Sequence, residues 1–148
     1  MNITNFIKLQ PNMLKNWIYF GVFLDADESE RVYNIINSLP GIDIPNDWRK
    51  YTDHMTIIYN NKSEIAQAWA KATAPRIGED VLLKATHVGM SDKAIAIRVN
   101  GEMSANAIPH ITIACSPIGK PVDSNKITNW REIGPFTISG RIDVLQAK

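Results

Sequence analysis

Apolar residues recur along the chain with two different periods, and this predicts an alternation of strands and helices. Residues 17–24 (WIYFGVFL) are rich in aromatic and β-branched residues, which favours a strand. One face of this strand carries an aliphatic set suited to a core, namely Ile18, Phe20, Val22 and Leu24. The other face either lines a pocket or is buried as well, and it carries Trp17, Tyr19, Gly21 and Phe23.

Two segments have the 3.6-residue period of an amphipathic helix. The first spans residues 25–41, with Asp25 and Glu28 as its predicted capping pair. Its apolar stripe consists of Val32, Ile35, Ile36 and Leu39. The second helix runs from Ser63 to Ala74. Its predicted inner face consists of Ile65, Ala68, Trp69 and Ala72.

The remaining segments are predicted to be mainly strands. Residues 80–90 and 94–100 have the pattern of a hairpin, 110–116 of a further strand and 136–146 of a last one. No linker or low-complexity tract divides the chain. The order of elements therefore predicts one α+β domain, residues 1–148, built from two related halves.

The charge balance restricts the partners that we expect. The chain has 16 basic and 15 acidic residues, whereas a protein that grips a duplex through many phosphates usually has a clear basic excess. A small nucleotide is easier to reconcile with this balance than duplex DNA. No apolar run approaches the roughly 20 residues that span a bilayer, and residues 1–14 lack the continuous apolar core of a signal peptide. We therefore expect a cytoplasmic protein without a membrane partner.

One short phrase occurs twice, as HMTIIY at residues 54–59 and as HITIAC at residues 110–115. The chain has three histidines, and two of them open these phrases. Because residues i and i+2 of a strand point to the same face, His54 projects together with Thr56, and His110 with Thr112. Two such strands side by side would direct both pairs into one small volume.

Two imidazoles and two hydroxyls are suited to breaking a phosphodiester bond. One histidine can remove the proton of an attacking hydroxyl while the other protonates the departing oxygen, and threonine hydroxyls can donate to the phosphate oxygens. This arrangement requires neither a metal nor another cofactor. A metal site is the weaker alternative, because hydroxyls are poor zinc ligands. Asp53 precedes His54, but strand alternation directs it to the opposite face, so it is not expected to orient that ring.

The paired phrases resemble the signature of the two-histidine phosphoesterase superfamily, which is defined by two His-x-Ser/Thr motifs. The resemblance covers most of residues 17–145. It implies a bilobal fold with antiparallel sheets and flanking helices around a central cleft. The catalytic residues that it implies are His54, Thr56, His110 and Thr112. Members of the superfamily act without a metal on 2′,3′-cyclic phosphates, 2′–5′ linkages and related RNA-type esters.

Within the superfamily, the short chain is similar to the phage anti-CBASS nucleases, which linearise the cyclic di- and trinucleotide messengers of bacterial antiviral signalling. This likeness implies hydrolysis of 3′–5′ bonds in such messengers, and a host-cytoplasmic location if a phage encodes the chain. Two alternatives stay open. One is an RNA-repair 2′,3′-cyclic phosphodiesterase, and the other is a protein that sequesters nucleotides without cleaving them.

Four further residues are candidates for binding the substrate. Tyr19, Trp48 and Trp130 can stack on nucleobases. Arg141 shares a polar strand face with three other residues and can hold a phosphate. The alternative for the aromatic residues is structural burial, and for Arg141 it is an ordinary solvated face.

Overall fold

A computed structural model of the protein describes residues 15–148, so the expectation about a signal peptide in residues 1–14 lies outside the described residues. The two helices are α1 (Ala26–Asn37) and α2 (Glu64–Thr73). Short 3₁₀ segments occupy Ala74–Arg76 and Pro121–Lys126. The strands are β1 (Trp17–Phe23), β2 (Arg49–Lys50), β3 (His54–Tyr59), β4 (Asp80–Met90), β5 (Ala94–Asn100), β6 (His110–Cys115) and β7 (Asn129–Gln146).

The seven strands of the described chain form one antiparallel sheet. Their order is β2-β6-β3-β1-β7-β4-β5, and an additional pairing joins β5 to β6. Six strands therefore form a closed, barrel-like ring, while the two-residue β2 pairs with the end of β6. The predicted α+β class, with an antiparallel sheet and few helices, is confirmed.

One face of the strands carries the main hydrophobic core, and both helices pack against it. Phe20 of β1 and Met55 of β3 are fully buried there, together with Ile36 of α1 and Ala66 of α2. Trp17, on the face predicted either to line a pocket or to be buried, is only 4% exposed, with its ring centroid 5.4 Å from that of Phe20. The cause is an irregular register between β1 and β7 at the start of β1, which breaks the simple alternation.

Helix α1 begins as its sequence predicts. The Asp25 carboxylate accepts a hydrogen bond from the backbone N–H of Glu28 at 2.8 Å. The Glu28 carboxylate accepts from the backbone N–H of Ser139 on β7 at 2.6 Å and also pairs with Arg31. The bond from Ser139 fixes the helix N-terminus to the sheet, and the hydrogen bond from Arg31 is the main reason that the pKa of Glu28 is lowered.

The predicted inner face of α2 was wrong. The buried residues of this helix are Ala66, Ala70 and Thr73, whereas Ile65 is 72% exposed. Only Trp69 of the predicted set packs against the core, and it is half-buried. Small alanine side chains allow the helix to lie close to the sheet, so its contact face follows the alanines rather than the bulkiest apolar residue.

Strand β7 is longer than predicted and begins at Asn129. The predicted strand began at residue 136, directly after Gly134 and Pro135. They lie at an irregularity in the pairing, where Ala85 of β4 is opposite Phe136 and His87 is opposite Glu132. A proline is tolerated at such a bulge because no ladder hydrogen bond is required of it there.

Candidate active site

Strands β3 and β6 bring the two repeated phrases together. Met55 pairs with Ile111 in antiparallel register, and both side chains are fully buried. Their sequence neighbours point to the opposite face, where a cleft of about 660 Å³ opens. This volume lies within the usual range of about 300–1,000 Å³ for ligand pockets. The cleft is lined by the four motif residues His54, Thr56, His110 and Thr112.

His54 is held on three sides. Its Nδ1 lies 2.8 Å from the Asp53 carboxylate, which can only accept, so Nδ1 carries a proton. Its Nε2 lies 3.2 Å from the Thr56 hydroxyl. The ring stacks on Tyr19, with centroids 4.4 Å apart, and Phe23 stacks at 5.7 Å. The hydrogen bond to His54 is the main reason that the pKa of Asp53 lies below its usual value.

The expectation that Asp53 would not orient His54 was therefore wrong. Strand β3 begins at His54, so strand alternation does not extend back to Asp53. The preceding residue, Thr52, has a positive φ of 48°, and the chain bends there before the strand starts. Two bonds keep this conformation, one from the Thr52 hydroxyl to the Ile113 carbonyl at 3.0 Å and one from the Thr52 N–H to the Thr112 carbonyl at 2.8 Å.

His110 has a different environment. Only 8% of the residue is exposed, and its Nδ1 donates to the backbone carbonyl of Ile108 at 2.8 Å. In the neutral ring, Nε2 is therefore the nitrogen with the free lone pair. Burial lowers the pKa of His110 below the ordinary 6.5, the nearby His54 lowers it further, and the Ile108 carbonyl opposes the change.

Two irregular segments form the rim of the cleft. The Thr112 hydroxyl lies 2.8 Å from the buried Ser124 hydroxyl, which ties the 3₁₀ segment Pro121–Lys126 to β6. The loop after β5 is tied to β3, because the Ser104 hydroxyl donates to the Thr56 carbonyl at 2.7 Å. These segments contribute Asn106, Pro121, Val122 and Asn125 to the lining.

Of the four predicted substrate-binding residues, the structure brings Tyr19 alone to the lining of this cleft. Burial, with a smaller contribution from the Asp53 charge, raises its pKa to about 12. Trp48 packs half-buried against the main core, and Trp130 donates from Nε1 to the Ile127 carbonyl at 3.1 Å. Arg141 is an exposed residue paired with Asp80 at 3.1 Å. Trp48 and Trp130 are thus partly buried against hydrophobic clusters, and Arg141 is solvated, so the alternative interpretation of each residue holds.

Sequence reasoning missed several lining residues. Tyr51, Asn106 and Asn125 come from irregular segments, whose side-chain directions no periodicity determines. Tyr59 ends the first phrase, stands opposite Tyr19 on the neighbouring strand and is 60% exposed. An aromatic residue at the end of a motif strand was the available signal for it.

Within residues 15–148, no group of three or more His, Cys, Asp or Glu side chains is arranged to hold a metal ion. Neither α1 nor α2 is long and apolar enough to cross a membrane.

With the cleft defined, the whole chain can be compared with known proteins. The fold is similar to that of a fungal RNA kinase. The crystal structure of that kinase aligns with a TM-score of 0.66 and 13% sequence identity, over 90% of this chain and 46% of the kinase chain. This chain thus spans less than half the length of that structure. No family profile and no curated protein matches the sequence. At this identity, the likeness establishes the fold alone.

Proposed function

We propose that this chain is a metal-independent phosphodiesterase that cleaves a phosphodiester bond beside a ribose 2′-hydroxyl. The observation that carries the proposal is the convergence of both histidine–threonine pairs on one cleft. Each ring is bonded through Nδ1 to an acceptor outside its motif, which leaves Nε2 available for proton transfer. A nucleotide-binding cleft without chemistry would not need two imidazoles held in this way.

The four motif residues supply the groups that such a reaction needs. The 2′-hydroxyl attacks the adjacent phosphorus while one histidine takes its proton and the other protonates the leaving 5′ oxygen. The product is a linear nucleotide that ends in a 2′,3′-cyclic phosphate, which water opens with the two roles reversed. Each proton transfer contributes about 10²–10⁴-fold in rate. Thr56 and Thr112 donate to the non-bridging oxygens, where negative charge accumulates.

The lining of the cleft favours a small nucleotide over a long polymer. It contains the three tyrosines Tyr19, Tyr51 and Tyr59 and two asparagines, and neither lysine nor arginine is among the described residues that form it. Tyrosine rings stack on bases, and asparagine amides pair with base edges. A polymer bound through its backbone would require cationic groups instead.

We infer that the substrate is a cyclic di- or trinucleotide messenger, hydrolysed at a 3′–5′ bond. The resemblance to the anti-CBASS nucleases and the aromatic lining, which among the described residues contains neither lysine nor arginine, support this substrate. In that case the protein acts in the cytoplasm of an infected bacterium, and the two halves of its sheet correspond to the lobes of the superfamily.

An RNA-repair 2′,3′-cyclic phosphodiesterase is the second candidate. The observation that favours it is the fold shared with an RNA kinase, a protein that acts on RNA. Both candidates use the same cleft and the same second step, the opening of a 2′,3′-cyclic phosphate. They differ in whether the protein can also linearise a closed ring.

Product analysis by mass spectrometry tests the proposal. The substrates are cyclic di- and trinucleotides, 2′,3′-cyclic AMP and a short 2′–5′ oligoadenylate, all with EDTA present. Wild type is compared with His54→Ala and His110→Ala, and with His87→Ala as the matched control. His87 bonds to Thr86 at 2.9 Å and does not line the cleft.

Linear products from cyclic nucleotides, lost in both cleft variants and retained in His87→Ala, are the expected result. Turnover of 2′,3′-cyclic AMP alone would establish the RNA-repair function instead. Binding without cleavage of any substrate would show a sequestering protein. Activity that EDTA abolishes would contradict a metal-independent mechanism.

A further inference from the structure

The two cleft histidines are held by acceptors of different charge. His54 Nδ1 faces the carboxylate of Asp53, and His110 Nδ1 faces the backbone carbonyl of Ile108, each at 2.8 Å. A carboxylate stabilises a protonated imidazole much more strongly than a neutral carbonyl does. The surroundings of the two rings therefore favour different protonation states.

Burial increases this difference. His110 is 8% exposed, and the positive charge that His54 can carry opposes a second positive charge on the neighbouring ring. A charged hydrogen-bond acceptor favours the protonated form of the imidazole that it contacts. That ring is His54, because Asp53 is the only carboxylate among the residues that line the described cleft.

Tyr19 fixes the direction of the His54 ring. The two rings stack at 4.4 Å with an angle of 20°, and the Tyr19 hydroxyl lies 3.4 Å from Nδ1. Phe23 stacks on both, at 5.7 Å from each. The titratable groups that face His54 are thus Asp53 before its own strand, Tyr19 on β1 and His110 on β6. Rotation of the imidazole would break the carboxylate bond and the stacking together.

We propose that Asp53 and Tyr19 are positioning residues that make His54 the acid and His110 the base of the first step. This assignment rests on the proposed phosphodiesterase function. His110 Nε2 takes the 2′-hydroxyl proton as the bond from O2′ to phosphorus forms. The bond from phosphorus to O5′ breaks, and O5′ receives the proton of His54 Nε2. In the second step, water loses a proton to His54 and bonds to phosphorus, while O2′ leaves with the proton held by His110.

A substrate with an activated leaving group distinguishes the acid from the base. A ribonucleoside 3′-(4-nitrophenyl) phosphate releases 4-nitrophenolate, which needs no proton in order to leave. We expect His54→Ala to lose at least about 10²-fold in kcat/KM on a cyclic dinucleotide but less than about 10-fold on this ester. His110→Ala should lose at least about 10²-fold on both, because the 2′-hydroxyl must still be deprotonated. His54→Gln is a second variant that keeps more of the volume of the ring.

Asp53→Asn tests the positioning role directly. The asparagine can keep a hydrogen bond to Nδ1 but cannot stabilise a charged ring. We expect a lower kcat with little change in KM, and a descending limb of the pH–rate profile that moves to lower pH. The defect should shrink on the nitrophenyl ester. Asp80→Asn is the matched control, since Asp80 is exposed and lies outside the cleft. Tyr19→Phe should keep most of the activity that Tyr19→Ala loses.

The outcomes separate this inference from the function on which it rests. Rescue of His110→Ala rather than His54→Ala by the nitrophenyl ester would reverse the assignment. Equal losses of His54→Ala on the cyclic dinucleotide and on the ester would overturn it. An unchanged pH profile in Asp53→Asn would leave Asp53 a purely structural role. If wild type cleaves neither substrate, the phosphodiesterase function itself fails.

Discussion

At the scale of single residues, each motif histidine is oriented by a hydrogen bond from its Nδ1 to an acceptor outside the motif. The acceptor is the Asp53 carboxylate for His54 and the Ile108 carbonyl for His110. Thr52 holds a φ of 48°, a conformation that is uncommon for a β-branched residue, and two buried hydrogen bonds keep it there. This backbone conformation places the Asp53 carboxylate 2.8 Å from Nδ1 of His54. Strained backbone of this kind persists where the surrounding structure enforces it, which is common at functional sites.

The protonation of His110 leads to a prediction for the pH dependence of the reaction. Burial places the pKa of His110 below 6.5, and a general base must be unprotonated. Activity should therefore rise as pH increases through that lowered value. We expect the ascending limb of log kcat/KM against pH to lie below pH 6.5. Steady-state rates on a cyclic dinucleotide from pH 4.5 to 9 measure it, and a limb at or above 6.5 would contradict the assigned environment.

The residues of the site differ in how far the sequence predicts them. The four motif residues were predictable because the period of a strand relates i to i+2, and the structure places all four in one cleft. The role of Asp53 was not predictable, because strand β3 and its alternation of faces begin one residue later, at His54. Asn106 and Asn125 lie in segments without a period, and their positions depend on contacts that form only in the folded chain. Trp48 and Trp130 were chosen by residue type, which does not encode direction. Arg141 was chosen from a polar strand face, and alternation alone does not distinguish a face that lines a cleft from a solvated one.

At the scale of elements, the close approach of β1 to β3 depends on Gly21. A β-carbon at this position would lie 2.6 Å from the Met55 carbonyl oxygen, at an irregularity in the register of the two strands. A backbone carbonyl within a sheet cannot move aside without breaking the pairing.

Gly21→Ala should therefore destabilise the fold by about 1–3 kcal/mol and reduce kcat, because His54 adjoins the displaced Met55. Gly134→Ala is the matched control, since no atom lies within 4 Å of an added β-carbon there. Urea unfolding measures both variants. Equal stabilities of the two variants would show that β1 and β3 tolerate the extra carbon.

The rotated face of α2 gives a second prediction at this scale. Ile65 is 72% exposed and Ala70 is 1% exposed. We expect Ile65→Lys to change the free energy of unfolding by less than about 0.5 kcal/mol. Ala70→Leu should cost about 1–3 kcal/mol, because the added atoms have no space between helix and sheet. Thermal unfolding measures the stability of both variants. A larger loss of stability in Ile65→Lys would show that Ile65 belongs to the buried face of the helix, as the sequence predicted.

Elements were predictable where the sequence pattern is compatible with only one set of bounds and only one buried face. Strands β4 and β5 have the bounds predicted from alternation and from the polar turn Ser91-Asp92-Lys93. Helix α2 has two acceptable apolar stripes, and packing chose the one with smaller side chains. The start of β7 was obscured by Gly134 and Pro135, since a bulge that admits both residues depends on the opposing strand β4.

At the scale of the whole molecule, ring closure connects the main core to a smaller cluster. Trp17 belongs to the main core, whereas Trp130 packs on the cluster of Ala94, Ala96, Cys115 and Ile127. Strands β5 and β6 contribute to both groups. A mutation that disturbs the packing of either group therefore also affects β5 and β6, which both groups share.

We expect the two groups to unfold together. Two variants, one that keeps only Trp17 and one that keeps only Trp130, with the other three tryptophans replaced by phenylalanine in each, report on the two sides separately. Their fluorescence transitions in urea should coincide with each other and with the loss of far-UV circular dichroism, as in two-state unfolding. Separated midpoints would show two independently folding parts and would contradict the prediction of a single domain.

The closed ring also has a consequence for the order in which the protein is made. Strand β7 pairs with both β1 and β4, and it is the last of the described strands to be synthesised. Until then, β1 and β4 each expose an unpaired edge, a form prone to joining the edge of another chain. Since β1 and β7 lie more than a hundred residues apart in the sequence, their pairing adds to the slow, non-local part of folding. The strands that carry the two motifs are thus synthesised before the strand that covers the free edges of β1 and β4.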